Sequence, residues 1–103
     1  MKIAINQRYG GFSLSKIATT ELLKYAPMDA NYIHNGKWLL DRKIPRDNPL
    51  LIGIVERLGD LANDVCAKIV IIEIPDKAYW YIFEYDGYET LVWSMSEIIE
   101  VEG

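Results

Sequence analysis

The chain has 103 residues and a mass of 11.9 kDa; half of the residues are apolar or aromatic and a quarter are charged. This size and composition predict one globular domain, residues 1–103, and exclude a disordered chain. The chain has one cysteine, which excludes an intramolecular disulfide. It also has only one histidine, so the usual Cys/His zinc sites are excluded. No apolar run reaches the roughly 20 residues of a membrane span and no signal segment opens the chain. We therefore expect a protein of the cytoplasm without a membrane partner.

The formal net charge of −4 is unevenly distributed along the chain. Residues 1–50 carry eight Lys or Arg and four acids, whereas residues 51–103 carry three bases and eleven acids. Net acidity argues against a DNA or RNA polymer as partner, because such a surface needs bases to neutralise phosphates. The first half has the charge to bind a small anion. The alternative interpretations are that the two halves attract each other within the fold, or that the charges alternate across a solvated surface.

The opening segment predicts a strand, a glycine turn and a helix. Alternation of apolar and polar residues over 2–6 predicts the strand, and Gly10 and Gly11 permit a tight turn after it. Ser13 is the expected N-cap of a helix over 14–25. The buried stripe of this helix is predicted to consist of Leu14, Ile17, Ala18, Leu22 and Tyr25.

A hairpin and a second helix follow. The dipeptide Asn35-Gly36 favours a type I′ hairpin turn, and a charged loop extends from Asp41 to Asp47. Asn48-Pro49 is typical of a helix start, with a cap residue followed by proline at the first helical position. We expect this helix to span about 49–63. Its predicted buried stripe consists of Leu51, Ile54, Val55, Leu58 and Ala62.

The second half of the chain predicts strands. Residues 68–74 are almost continuously apolar, which is typical of a central strand covered on both faces. Strands over 79–85 and 88–93 are joined by Asp86-Gly87, a second type I′ signal. Residues 94–103 fit either a short helix or an added strand. The predicted fold class is α+β, with two helices packed on a mostly antiparallel sheet of about four to five strands.

Aromatic residues are concentrated in these strands. Seven of the 12 lie within the 15 residues from Tyr79 to Trp93. Alternation puts Trp80 and Ile82 on one face of the first strand, and the opposite face is then formed by Tyr79, Tyr81, Phe83 and Tyr85. Because both faces are apolar, one should cover the core and the other a base, a subunit or a target protein. A homo-oligomer is the simplest interpretation.

A candidate anion site lies in the first half. Glycines before a helix N-terminus let the backbone approach a phosphate, although the segment lacks the dinucleotide and P-loop patterns. Arginine forks suit phosphate, and a tryptophan stacks on a base. The alternatives are a steric turn and a solvated basic loop. The predicted ligand-binding residues are Arg8, Tyr9, Gly10, Gly11, Phe12, His34, Trp38, Arg42 and Arg46.

Catalytic patterns are weak. The segment 11–15 lacks the final glycine of a nucleophile elbow, and no second histidine is present. The carboxylates of Glu84, Asp86 and Glu89 are candidate metal ligands, but strand alternation and a turn should disperse them. We therefore expect a non-enzymatic protein without metal or cofactor and with Cys66 buried. The alternative is a small hydrolase that uses His34 and Asp41.

Several short segments of the chain together form a recognisable pattern. They are the opening MKIAIN with Tyr9-Gly10-Gly11-Phe12, followed by Leu14-Ser15, Arg46-Asp47-Asn48-Pro49-Leu50, Glu56–Gly59, Lys68–Val70, Glu73–Asp76 and Glu84–Gly87. In these segments the chain resembles a family of small uncharacterised proteins encoded by bacteriophages and prophages. Members of that family often have cysteine in place of Arg8 and a basic, histidine-containing tail in place of residues 94–103. The resemblance implies a phage origin, and with it the cytoplasm of the host cell as the location, but no established activity.

Phage origin suggests two functional hypotheses. The first is an anti-defence protein that sequesters a small phosphorylated nucleotide immune signal, which requires affinity and slow release rather than chemistry. The second is an inhibitor or adaptor that binds a host protein through its acidic, aromatic C-terminal half. The first hypothesis places the function between Gly10 and Arg46, and the second places it in residues 73–103.

Overall fold

The computed structural model describes residues 1–25, 33–34, 37–38 and 44–97. Within them it contains α-helices together with antiparallel strand pairs, which confirms the predicted α+β class. The elements are β1 (Lys2–Asn6), α1 (Lys16–Tyr25), β2 (Ile33–His34), β3 (Lys37–Trp38), α2 (Pro49–Leu58), a 3₁₀ helix (Gly59–Ala62), β4 (Ile69–Glu73), β5 (Tyr79–Tyr85) and β6 (Tyr88–Ser94).

The strands of the described residues pair in antiparallel twos, β1 with β4, β2 with β3, and β5 with β6, rather than in one continuous ladder. In the last pair, Asp86 and Gly87 have φ angles of +53° and +87°, which confirms the type I′ turn. Residues 35 and 36, the other expected type I′ turn, lie outside the described residues, although His34 pairs with Lys37 across them.

Helix α1 begins two residues later than its sequence suggests. The hydroxyl of Ser15, not that of Ser13, accepts the Ala18 amide at 3.1 Å and caps the helix. Ser13 instead donates to a carboxylate oxygen of Asp64 at 3.0 Å. Leu14, Ala18 and Leu22 of the predicted stripe are buried, whereas Ile17 is 54% exposed and Thr19 is buried on the core side instead.

Helix α2 follows its sequence signals closely. The Asn48 side chain accepts the amides of Leu50 and Leu51, and Pro49 is the first helical residue, as predicted. The helix ends earlier than residue 63, because Gly59 adopts a φ of +57° and the chain continues as a 3₁₀ helix. Four of the five predicted stripe residues are buried, and Leu58 is half-buried.

Helices cover one face of the β1–β4 pair and the β5–β6 hairpin covers the other. Ala4 and Ile69 pack with the helices in one cluster of buried residues. Ile3 and Ile5, on the opposite face of β1, pack in a second cluster with the hairpin residues Trp80, Ile82 and Leu91. Strand β4 is therefore covered on both faces, as its apolar run indicated, although several of its side chains are only half-buried.

Candidate functional site

Two turns that are far apart in the sequence meet beside the end of β1, and Asn6 connects them. Its side-chain amide donates to the carbonyl oxygens of Arg8 at 2.7 Å and Gly87 at 2.8 Å. Its side-chain oxygen accepts the amide of Lys68 at 2.8 Å. Asn6 is completely buried, and each of these bonds satisfies a polar group that water cannot reach. The Gly10-Gly11 turn and the Asp86-Gly87 turn are thereby held at one place.

The close approach of the two turns requires glycine. A Cβ on Gly87 would lie 2.6 Å from the Gly10 nitrogen and would also collide with the Gly11 nitrogen. A Cβ on Gly10 would lie 3.0 Å from the Cβ of Cys66, and the φ of Gly10 is +122°. Such φ angles are strained for any other residue. The sequence predicted the Gly10-Gly11 turn, but only the tertiary structure shows what lies against it.

Arg46 and Glu89 form a bidentate ion pair below these turns. The nitrogen–oxygen distances are 2.6 Å (Nη1–Oε1) and 2.9 Å (Nη2–Oε2), and the side chains are only 17% and 7% exposed. The backbone amide of Asn6 donates to the same carboxylate at 2.8 Å. The guanidinium carbon lies 3.7 Å from the centroid of the Phe12 ring, in cation–π geometry. The Arg46 charge is therefore already compensated within the fold.

The turns and the ion pair border an open cavity of about 490 Å³. Its wall includes the carboxylates of Asp64 and Glu84, which accept backbone amides of Val65 at 2.9 Å and Gly87 at 2.5 Å. Because Glu89 neutralises Arg46, these two carboxylates leave the cavity with negative charge. The lining residues are Gly10, Gly11, Phe12, Ser13, Arg46, Asp64, Val65, Cys66, Glu84, Gly87 and Glu89.

Six of the nine predicted ligand-binding residues lie in or beside this cavity. Four of them line its wall, namely Gly10, Gly11, Phe12 and Arg46. Arg8 donates to the carbonyl oxygen of Val65 at 3.2 Å, and the Tyr9 ring lies 5.4 Å from that of Tyr88. Arg42 lies outside the described residues, as do the side chains of His34 and Trp38.

The N-terminus of α1, expected to bind an anion together with the glycine turn, is not part of the cavity. The helix starts at Lys16, and a bridge between Leu14 and Asn63 lies between the glycines and the helix. The Ser15 hydroxyl already caps its first turn. The backbone of Gly10 and Gly11 therefore borders the cavity, but the partial positive charge at the N-terminus of α1 does not add to anion binding there.

Sequence reasoning missed Asn6, Asp64 and Gly87 as parts of the site and considered Glu89 only as a candidate metal ligand. In the structure Glu89 binds Arg46. Among the described residues, no three His, Cys, Asp or Glu side chains lie close enough together to hold one metal ion. Local patterns could not find the ion pair, because its partners are 43 positions apart. Cys66, expected to be buried, is exposed at the cavity wall, because the loop turns the neighbouring Ala67 into the core instead.

The second candidate site is the outer face of the β5–β6 hairpin. Trp80, Ile82 and Leu91 point into the core, which confirms the predicted alternation. The opposite face, here called the aromatic face, leaves Tyr79 53%, Phe83 57% and Tyr85 69% exposed. Across the ladder the register places their partners on the same face. The aromatic face consists of Tyr79, Tyr81, Phe83, Tyr85, Tyr88, Thr90, Val92 and Ser94.

Comparison with family models, curated proteins and solved structures found nothing similar to the chain. Among the described residues, each helix is too short to cross a membrane.

Proposed function

We propose that the protein is a non-enzymatic binding protein whose aromatic face binds a basic surface of another protein. The observation that carries this proposal is the exposure of three large aromatic side chains, each by more than half, on one regular strand. Interface cores are enriched in tyrosine and phenylalanine, which bury a large area with little loss of side-chain entropy. Isolated exposed apolar residues need no explanation, but a contiguous row of them indicates a contact surface.

Charge supports a basic partner. From Ile69 to Glu97 the chain has six acids and one lysine. Asp86 is exposed at the turn end of the hairpin, and Glu97 is exposed near its open end. An arginine of the partner could stack on a tyrosine ring while it pairs with one of these carboxylates. If the chain has the phage origin that its sequence suggests, the partner is a host protein.

Affinity capture from a host lysate, with variants as controls, tests this proposal. We expect the tagged wild-type chain to retain a basic protein in stoichiometric amount. A Phe83→Ser, Tyr85→Ser variant should retain at least about tenfold less of it, because central aromatic residues contribute most to such interfaces. Retention by the wild type should also weaken when the salt concentration is raised from about 0.15 to about 0.5 M, because salt screens the charges at the rim of the interface.

The matched control is an Ile17→Ser, Leu61→Ser variant. These side chains are 54% and 64% exposed, so the control removes a similar apolar surface away from the aromatic face. It should retain the partner as well as the wild type does. Equal retention by the Phe83→Ser, Tyr85→Ser variant, or a retained protein that is acidic, would contradict the proposal.

The cavity favours a second candidate function, the binding of a small ligand. Its volume of about 490 Å³ is within the range of small-molecule sites. The expected ligand is a phosphorylated nucleotide, and two of its expected contact residues, Gly10 and Gly11, line the cavity. Against this ligand, Asp64 and Glu84 repel phosphate, and Arg46 is held by Glu89. The aromatic face therefore has the stronger support.

A thermal-shift screen with cyclic dinucleotides, cyclic trinucleotides and ADP-ribose derivatives tests the nucleotide hypothesis. A ligand at about 100 times its Kd stabilises the folded state by about 2.7 kcal/mol and raises Tm accordingly. If one binds at the cavity, Arg8→Ala should reduce the shift and Ile17→Ser should leave it unchanged. Recovery of the intact nucleotide would distinguish sequestration from hydrolysis. Unchanged melting with every compound would remove this candidate.

A further inference from the structure

Besides its aromatic face, the β5–β6 hairpin has an open edge, which is the side of β5 that does not pair with β6. Among the described strands, β5 pairs only with β6. The strand is seven residues long, from Tyr79 to Tyr85, and contains no lysine, proline or glycine. Proteins usually protect such an edge with charges, prolines or bulges, because its free amides and carbonyls pair readily with another strand.

The turn determines which backbone groups of β5 lie at this edge. A two-residue type I′ turn leaves its flanking residues, Tyr85 and Tyr88, as a hydrogen-bonded pair. Hydrogen-bonded and non-hydrogen-bonded pairs then alternate along the ladder. The amides and carbonyls of Trp80, Ile82 and Glu84 therefore point away from β6 toward the open edge.

We propose that the occupant of this edge is β5 of a second copy, which pairs antiparallel across a twofold axis at Ile82. This register sets Tyr79 opposite Tyr85 and Tyr81 opposite Phe83 of the other copy. Aromatic pairs across antiparallel strands are among the favourable ones. The only acid of the strand, Glu84, lies opposite Trp80 rather than opposite its own counterpart, so no like charges meet.

The pairing is self-complementary, as a twofold interface requires. The pairs at Ile82 and at Trp80 with Glu84 would add about six backbone hydrogen bonds between the copies. The two hairpins would form a four-stranded sheet whose outer side carries the aromatic faces of both copies. The proposal is independent of the proposed function, because the edge pairs through its backbone and leaves the aromatic face accessible.

Amide hydrogen exchange of the wild-type chain over a range of protein concentrations, with light scattering on the same samples, tests the proposal. We expect the mass to rise from monomer to dimer and the exchange of the Trp80, Ile82 and Glu84 amides to slow by about tenfold or more. The Tyr81 and Phe83 amides, which bond to β6, serve as internal controls and should exchange slowly throughout. A monomer at every concentration, or a dimer in which the three edge amides still exchange fast, would overturn the proposal.

A pair of variants at one position gives a second test. Ile82→Ala and Ile82→Pro both remove the isoleucine side chain. Only proline also removes the backbone N–H of residue 82, which points to the open edge and makes no hydrogen bond to β6. We expect Ile82→Ala to dimerise and Ile82→Pro to remain monomeric at the same concentration. Dimerisation of a folded Ile82→Pro variant equal to that of Ile82→Ala would contradict the twofold pairing.

Discussion

Replacement of Arg46 by alanine is expected to destabilise the protein by about 3–5 kcal/mol, because it leaves the Glu89 carboxylate buried without its counter-charge. Glu89 is only 7% exposed, and after the substitution the backbone amide of Asn6 is the one hydrogen-bond donor left to it among the described residues. The cation–π contact with Phe12 is lost as well. Urea unfolding followed by circular dichroism measures the change in the free energy of unfolding.

A double substitution separates the cost of an unpaired charge from the value of the pair. Arg46→Met with Glu89→Leu removes both charges and keeps apolar volume, so it should destabilise less than Arg46→Ala alone. Lys2→Ala serves as the surface control, because the Lys2–Glu56 pair is 42% and 45% exposed and should contribute little. If Arg46→Ala unfolds at the same urea concentration as Lys2→Ala, the ion pair does not organise the site.

Replacement of Gly87 by alanine is expected to cost about 2–4 kcal/mol, from the strain of a positive φ and from overpacking. The added methyl group would lie 2.6 Å from the Gly10 nitrogen, and the obstacle is backbone that cannot rotate away. The two turns would have to separate, which would also break the Asn6 bond to the Gly87 carbonyl. Thermal and urea unfolding measure the loss of stability.

Gly53→Ala is the matched control for this substitution. Gly53 lies in α2, and a Cβ there would meet no atom within 4 Å. Alanine is favoured over glycine in a helix by roughly 0.8–1.0 kcal/mol, so this variant should be as stable as the wild type or more so. A Gly87→Ala variant as stable as Gly53→Ala would show that the turns do not depend on close packing.

Both sites require the same hairpin but different properties of it. The cavity depends on the turn, where Gly87 and Glu89 meet the glycine turn and Arg46. The aromatic face and the β5 edge depend on the strand pair itself. Variants of Gly87 should therefore change the cavity first, and variants of Phe83 and Tyr85 should change partner binding without loss of the cavity.

Features that depend on neighbouring residues were predictable from the sequence. The type I′ turn follows from the freedom of Asp and Gly to adopt positive φ, and the start of α2 follows from an asparagine cap and a proline. The alternation in β5 correctly assigned Trp80 and Ile82 to the core. The cap of α1 was predicted wrongly: the sequence favoured Ser13, whereas Ser15 caps the helix in the structure.

The amino-acid sequence by itself determined the α+β class, the antiparallel hairpin with one aromatic face, and the acidity of the second half. Only the tertiary structure decided that Asn6 holds Gly87 across 81 positions and that Glu89 neutralises Arg46 across 43. Turns, caps and strand alternation result from interactions within a few residues, so they leave a pattern in the sequence. Contacts between distant segments leave no such pattern, because chain folding alone brings their side chains together.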